Sequence, residues 1–190
     1  MGDFQKALAV VLQREGGYSS NPDDRGGETF CGISRNRNSY WAGWSYVDIE
    51  KSRGQTPKAD DPRFADLIAA FYHANFWLPI SGSALPDPIA GELFDTAVNM
   101  GVAAAGKILQ EALNLLNRNG AAWPEVAEDG QIGPATLATV KTASDRGDAR
   151  ILYNLLNVIQ ADRYLTICRG DRSQEKFLRG WLGRVEIVKT

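Results

Sequence analysis

Residues 3–18 read DFQKALAVVLQREGGY, and the reading of the whole chain starts from them. Phe4, Ala7, Leu8, Val11 and Leu12 recur at the three-and-four spacing of one helical face. Asp3 stands where a side-chain oxygen can cap the first turn. Lys6 occupies the place where a capping box needs Glu or Gln, so the cap is a simple one. Gly16-Gly17 ends the helix. Continuing the buried face through Phe4, Leu8 and Val11 reaches Glu15. A carboxylate there is partly desolvated, which disfavours its charged form. The negative end of the helix dipole acts in the same direction. A carboxyl that stays protonated near neutral pH is what a general acid needs to protonate a glycosidic oxygen. Read alone, Glu15 is equally an exposed residue at a fraying helix end. The glycines after it, which let a ligand come close to the backbone, favour the chemical reading.

Residues 16–60 follow, rich in Gly, Ser, Asn, Asp and Arg. This is a long loop region with room for a short hairpin or small helices around Thr29–Ile33 and Tyr40–Ile49. So long a loop inside a compact domain is either functional or disordered, and its aromatic residues argue against disorder. Cleavage of a glycosidic bond calls for a second acidic or polar group across the bond. Asp24 and Thr29, in the stretch NPDDRGGETF, are the candidates for holding the attacking water. Asp23 and Asp24 are equally ordinary turn formers. Tyr18, Tyr72 and Trp77 are candidate rings for a glycan groove, because an aromatic face can stack on a pyranose. Asn99, a polar residue on an apolar helix face, bonds either a loop backbone or a sugar acetamide. His73 reads as a helix-surface residue.

Helices are expected from Asp61-Pro62, from Asp87-Pro88, over about residues 103–117, from Pro134, from Asp148 to about Cys168, and from about Ser173. In the last, Phe177, Trp181, Val185 and Val188 share a face. A soft boundary falls in LPISGSALPDP, dividing the chain into 1–86 and 87–190 within one compact unit. The expected class is all-α, with a helical C-terminal half packed on a catalytic lobe.

The 190 residues are 44% hydrophobic and 23% charged, with a net charge of −2, an ordinary globular balance that lowers the case for nucleic acid. The stretch after Arg163 is nevertheless rich in Arg. A single histidine, His73, excludes a site needing two His ligands, and no metal or organic cofactor is implied. Cys31 and Cys168 match no metal spacing; they read as unpaired buried thiols, with a disulfide left open. No apolar run approaches the roughly 18 residues of a membrane span, and the start lacks the form of a secretory leader. The expectation is synthesis in the cytoplasm.

Glu15-Gly16-Gly17-Tyr18, Asn21 through Thr29, and Gly32-Ile33-Ser34 resemble the opening of glycoside hydrolase family 108, muramidases with a lysozyme-like helical fold. The resemblance puts the catalytic acid on Glu15. The Glu–Asp–Thr spacing is similar to the triplet of many phage lysozymes, one residue shorter in its second gap, so the roles of Asp24 and Thr29 follow less firmly. Cys31 stands where relatives often have Tyr. Leu93 through Gly101 is similar to the start of the family's C-terminal region, and Asp129-Gly130-Gln131-Ile132-Gly133-Pro134-Ala135-Thr136 to a peptidoglycan-binding signature whose turn dipeptides also suit a purely structural part. The resemblance implies a monomeric enzyme hydrolysing peptidoglycan glycan strands. It would act in the periplasm or wall after release through a holin or a secretion system, with no nucleic-acid partner and no membrane insertion. Rival readings are a chitinase-type glycosidase and a non-catalytic wall-binding or secretion-accessory protein.

Overall fold

The computed structural model describes residues 1–20 and 27–189. Among these, eight α-helices and one small sheet are laid out as α1 (Phe4–Glu15), β1 (Tyr18–Ser20), β2 (Glu28–Phe30), β3 (Ile33–Ser34), α2 (Gly43–Ser52), α3 (Pro62–Tyr72), α4 (Asp87–Met100), α5 (Val102–Leu116), α6 (Pro134–Asp145), α7 (Ala149–Gly170) and α8 (Glu175–Leu182). The mostly helical class expected from the sequence is observed. The chain divides into an N-terminal unit, Gln5–Asn75, and a C-terminal unit made of Met1–Phe4 with Phe76–Thr190.

In the N-terminal unit, α1 buries Ala7, Leu8 and Val11. Gly16, at φ 72°, takes the left-handed conformation that ends a helix without a Cβ penalty. The sheet is antiparallel in the order β1-β2-β3. Its β2–β3 hairpin turns on Cys31-Gly32, with φ of 48° and 76°. Two positive φ values suit a two-residue turn whose twist matches its strands. Phe30 of β2 packs on Phe64 of α3 with ring centroids 4.5 Å apart. Asp61 caps α3, accepting from the Arg63 backbone N–H at 3.0 Å, with Pro62 at the first helical position. Trp41 and Trp44 are buried; their indole N–H groups donate to Leu67 O and Asn38 O.

The packing divides near residue 75, and LPISGSALPDP follows that division. That segment is held inside the C-terminal unit: Ile80 and Leu85 are buried, and Ser81 Oγ donates to Ile132 O at 3.0 Å. There α4 packs on both α5 and α7. It carries Glu92, Asp95, Thr96 and Asn99 at the i, i+3, i+4, i+7 spacing of one face. Gln160 Nε2 donates to Thr96 at 2.8 Å, the Tyr164 hydroxyl to Asn99 Oδ1 at 2.9 Å, and Arg184 to Asp95 at 2.8 Å. These bonds are what make a polar seam tolerable in a core, although Gln160 Oε1 has no hydrogen-bond partner among the described residues. The last helix is shorter than its apolar pattern suggested: α8 stops at Leu182, so Val185 and Val188 lie beyond it. Both cysteines are buried and free, and burial pushes the Cys31 thiol up to about 11.

Candidate active site

Glu15 is half-buried at the C-terminal end of α1. Its side chain lies against the hairpin turn. A Cβ placed on Gly32 would be 2.7 Å from Glu15 Oε2 and 2.6 Å from the Tyr72 hydroxyl oxygen. The carboxylate and the phenol thus converge on one point that only a glycine leaves open. The turn is fixed from two sides, because the Cys31 N–H donates to Gly17 O at 3.0 Å and the Tyr72 hydroxyl donates to Cys31 O at 2.8 Å. Tyr72 is 1% exposed. Its expected part as a sugar platform is therefore corrected: the ring is core, and its hydroxyl holds the turn beneath the acid.

Tyr72→Phe removes the donor and leaves a buried carbonyl unmatched, which should cost about 1–2 kcal/mol in a denaturant titration. It should also lower kcat roughly tenfold, because the turn that positions Glu15 loosens. Gly32→Ala adds a methyl group between the two oxygens at φ 76°; urea melts should show a loss of about 2 kcal/mol.

Thr29 lies at the middle of β2, paired with Ser19 and Ser34. Strand alternation puts these three on one face and Tyr18, Glu28 and Phe30 on the other. Asp24, the other candidate for the water, lies outside the described residues. Tyr18 is half-buried, and its hydroxyl donates to Glu28 Oε1 at 2.7 Å. Lys51 reaches the same oxygen at 2.7 Å and Arg35 pairs with Oε2 at 3.1 Å. No local sequence pattern marks Glu28; the sheet brings Tyr18 and Arg35 to it, and α2 brings Lys51.

Burial alone would push the Glu28 carboxyl up. The bonds from Lys51 and Tyr18 and the charges of Arg35 and Lys51 outweigh it and hold the group below its ordinary 4.5. A folded value below the unfolded one adds stability above the unfolded value, and that stability is lost as pH falls through the folded value. Melting curves of the wild type should therefore drop more steeply below 4.5 than those of Glu28→Gln, which lacks the titrating group.

Trp77, expected in the groove, belongs to the C-terminal unit and is 1% exposed. Its indole N–H donates to Ser83, and its ring packs on Phe4 and Phe94 at 5.5 Å each. It offers no face to a sugar. Asn99 is half-buried, accepting from Tyr164 in the α4 seam. The Asp129–Thr136 signature is tied to Gln110, which is 1% exposed, while Asp129, Gln131, Pro134 and Ala135 of the signature are themselves exposed. Gln110 donates to Asp129 Oδ1 at 2.8 Å and to Gln131 O at 3.0 Å, and accepts from the Gly130 N–H at 2.7 Å.

A carboxylate closing a helix against a small antiparallel sheet, in a mostly helical chain, is consistent with a lysozyme-like fold. Residues 8–101 match the model described as Glycosyl hydrolase 108, and residues 104–186 that described as Predicted Peptidoglycan domain. The chain thus carries a domain of glycosyl hydrolase family 108 followed by a peptidoglycan domain, which makes it a glycosidase directed at peptidoglycan. It is also similar to the solved structure of Brucella abortus SagA, at 28% identity and a TM-score of 0.60, over 96% of this chain and 88% of that one. No curated protein matches the chain.

Proposed function

We propose that the protein is an N-acetylmuramidase, hydrolysing the β-1,4 bond between N-acetylmuramic acid and N-acetylglucosamine. The observation that carries this reading is the Glu15 carboxylate, half-buried at the end of α1 and set against the Cys31-Gly32 turn beside the Tyr72 hydroxyl. Glu15 donates a proton to the leaving oxygen. Water attacks the anomeric carbon, oriented by Thr29 or Asp24. Glu28 is occupied by Tyr18, Lys51 and Arg35 and serves the sheet, not the sugar. Water as nucleophile gives inversion at the anomeric carbon. The reaction needs no cofactor. Such an enzyme serves phage lysis or wall remodelling during secretion, reaching the wall through a holin or a secretion system.

The test is digestion of purified peptidoglycan, reduction of the products with borohydride, and mass spectrometry. Reduced muramic acid ends are expected. Reduced glucosamine ends or 1,6-anhydro ends would assign a different cleavage. Release from chitin but not from peptidoglycan would point to a chitinase-type enzyme.

A further inference from the structure

The end of α2 and the start of α3 enclose a cleft of about 650 Å³ in the N-terminal unit. Every side chain lining it is charged or polar, so it offers neither an apolar floor nor a ring on which a sugar could stack. Its least exposed members are already matched. Arg63 reaches Glu50 Oε1 at 2.8 Å and forks onto Asp61, which these bonds hold down at about 2. Arg53, 61% exposed, shares the same Glu50 oxygen at 3.4 Å.

Lys58 and Asp60 also line the cleft, both exposed and neither in an ion pair among the described residues. The backbone that carries them is fixed. The N–H groups of Arg53, Gly54 and Gln55 donate to carbonyls at the end of α2, that of Asp61 donates to Lys58 O at 3.2 Å, and Pro57 is buried. The cleft is thus ordered before any ligand arrives. It presents one cation and one anion not matched among the described residues, with Arg53 as a second, shared cation. Preorganisation of this kind lowers the cost of binding.

The complementary ligand is polar and carries both a carboxylate and an ammonium group. We propose that this cleft binds the peptide stem of peptidoglycan, with Lys58 and Arg53 taking a stem carboxylate and Asp60 the free ammonium of its diamino acid. The inference rests on the peptidoglycan-cleaving reading for the identity of the peptide, but its test needs no turnover.

The probe is the sugar-free stem peptide N-acetyl-L-Ala-D-Glu-meso-diaminopimelate, whose one ammonium is that of the diamino acid, titrated into the full chain and followed by amide chemical shifts. Shifts are expected at Thr56, Lys58 and Asp60. Lys58→Ala and Asp60→Asn should each weaken binding about tenfold, the scale of one charge-assisted hydrogen bond. Acetylating the diamino acid's ammonium should weaken binding to the wild type and abolish the effect of Asp60→Asn alone. Shifts confined to other residues, or an affinity unchanged by both substitutions, would overturn the inference. The two readings fail separately: muramic ends without peptide binding would overturn only this one, and peptide binding here without muramic ends only the hydrolytic one.

Discussion

Glu15→Gln should lower kcat on purified peptidoglycan by about 10²–10⁴-fold, the contribution of a positioned general acid, since an unprotonated sugar alkoxide is a poor leaving group. The substitution keeps the length and shape of the side chain. Its terminal oxygen or nitrogen still fits against Gly32 and Tyr72, where an added Cβ would meet oxygens at 2.7 and 2.6 Å. The melting temperature should therefore hold within the scatter of surface substitutions. What is lost is the transferable proton, because an amide cannot act as the acid. Glu28→Gln is the matched control: it removes a second half-buried carboxylate of the same unit, and its main effect should be on stability. Retention of more than a tenth of the wild-type rate by Glu15→Gln, with normal product ends, would take the acid's role away from Glu15.

That Glu15 could be found at all rests on helical periodicity, which needs only local information. Ala7, Leu8 and Val11 bury the face that Glu15 continues. Around Thr29–Ile33 the sequence left a short hairpin or small helices open, and the closing residues of the observed hairpin do not announce it. A turn with two positive φ values prefers Asn-Gly, and here Cys31 takes φ 48°. The compensation comes from Tyr72, 41 residues away, and no local pattern announces that bond.

Tyr72 and Trp77 misled for one physical reason. Aromatic residues crowd both a glycan groove and a core, and composition cannot tell an exposed face from a buried one. The chain leaves α3 through a π-helical turn, His73–Trp77, in place of a plain helix end. Trp77 lies against Phe4 and Phe94 in the C-terminal unit. Glu28 was missed because its importance depends on β register and on a lysine in α2. The Asp129–Thr136 signature was readable as turns, but Gln110, its partner in α5, sits 19 residues before Asp129.

That partnership predicts a large stability effect at Gly106. It lies in α5, one turn before Gln110. A Cβ there would stand 2.6 Å from the Gly130 carbonyl carbon and 2.9 Å from its Cα, and closer still to the carbonyl oxygen. These are backbone atoms in a turn with φ 82°. The turn cannot retreat without breaking its bonds to Gln110, and on its other side a Cβ on Gly130 would be 2.7 Å from Ala103 O.

Helix propensity works in the opposite direction, favouring Ala over Gly by about 1 kcal/mol. Overpacking costs about 1–3 kcal/mol and a lost buried hydrogen bond about 1–3 more, so the clash wins and Gly106→Ala should destabilise by about 3 kcal/mol net. Gly91 supplies the sign test. It is also inside a helix of the C-terminal unit, but a Cβ there meets nothing within 4 Å. Gly91→Ala should stabilise by about 0.5–1 kcal/mol. Urea melts of the two variants should therefore move in opposite directions. If Gly106→Ala is as stable as the wild type, α5 does not hold the 129–131 turn by direct backbone contact. The bonds of the signature to Gln110 would then need an explanation other than scaffolding.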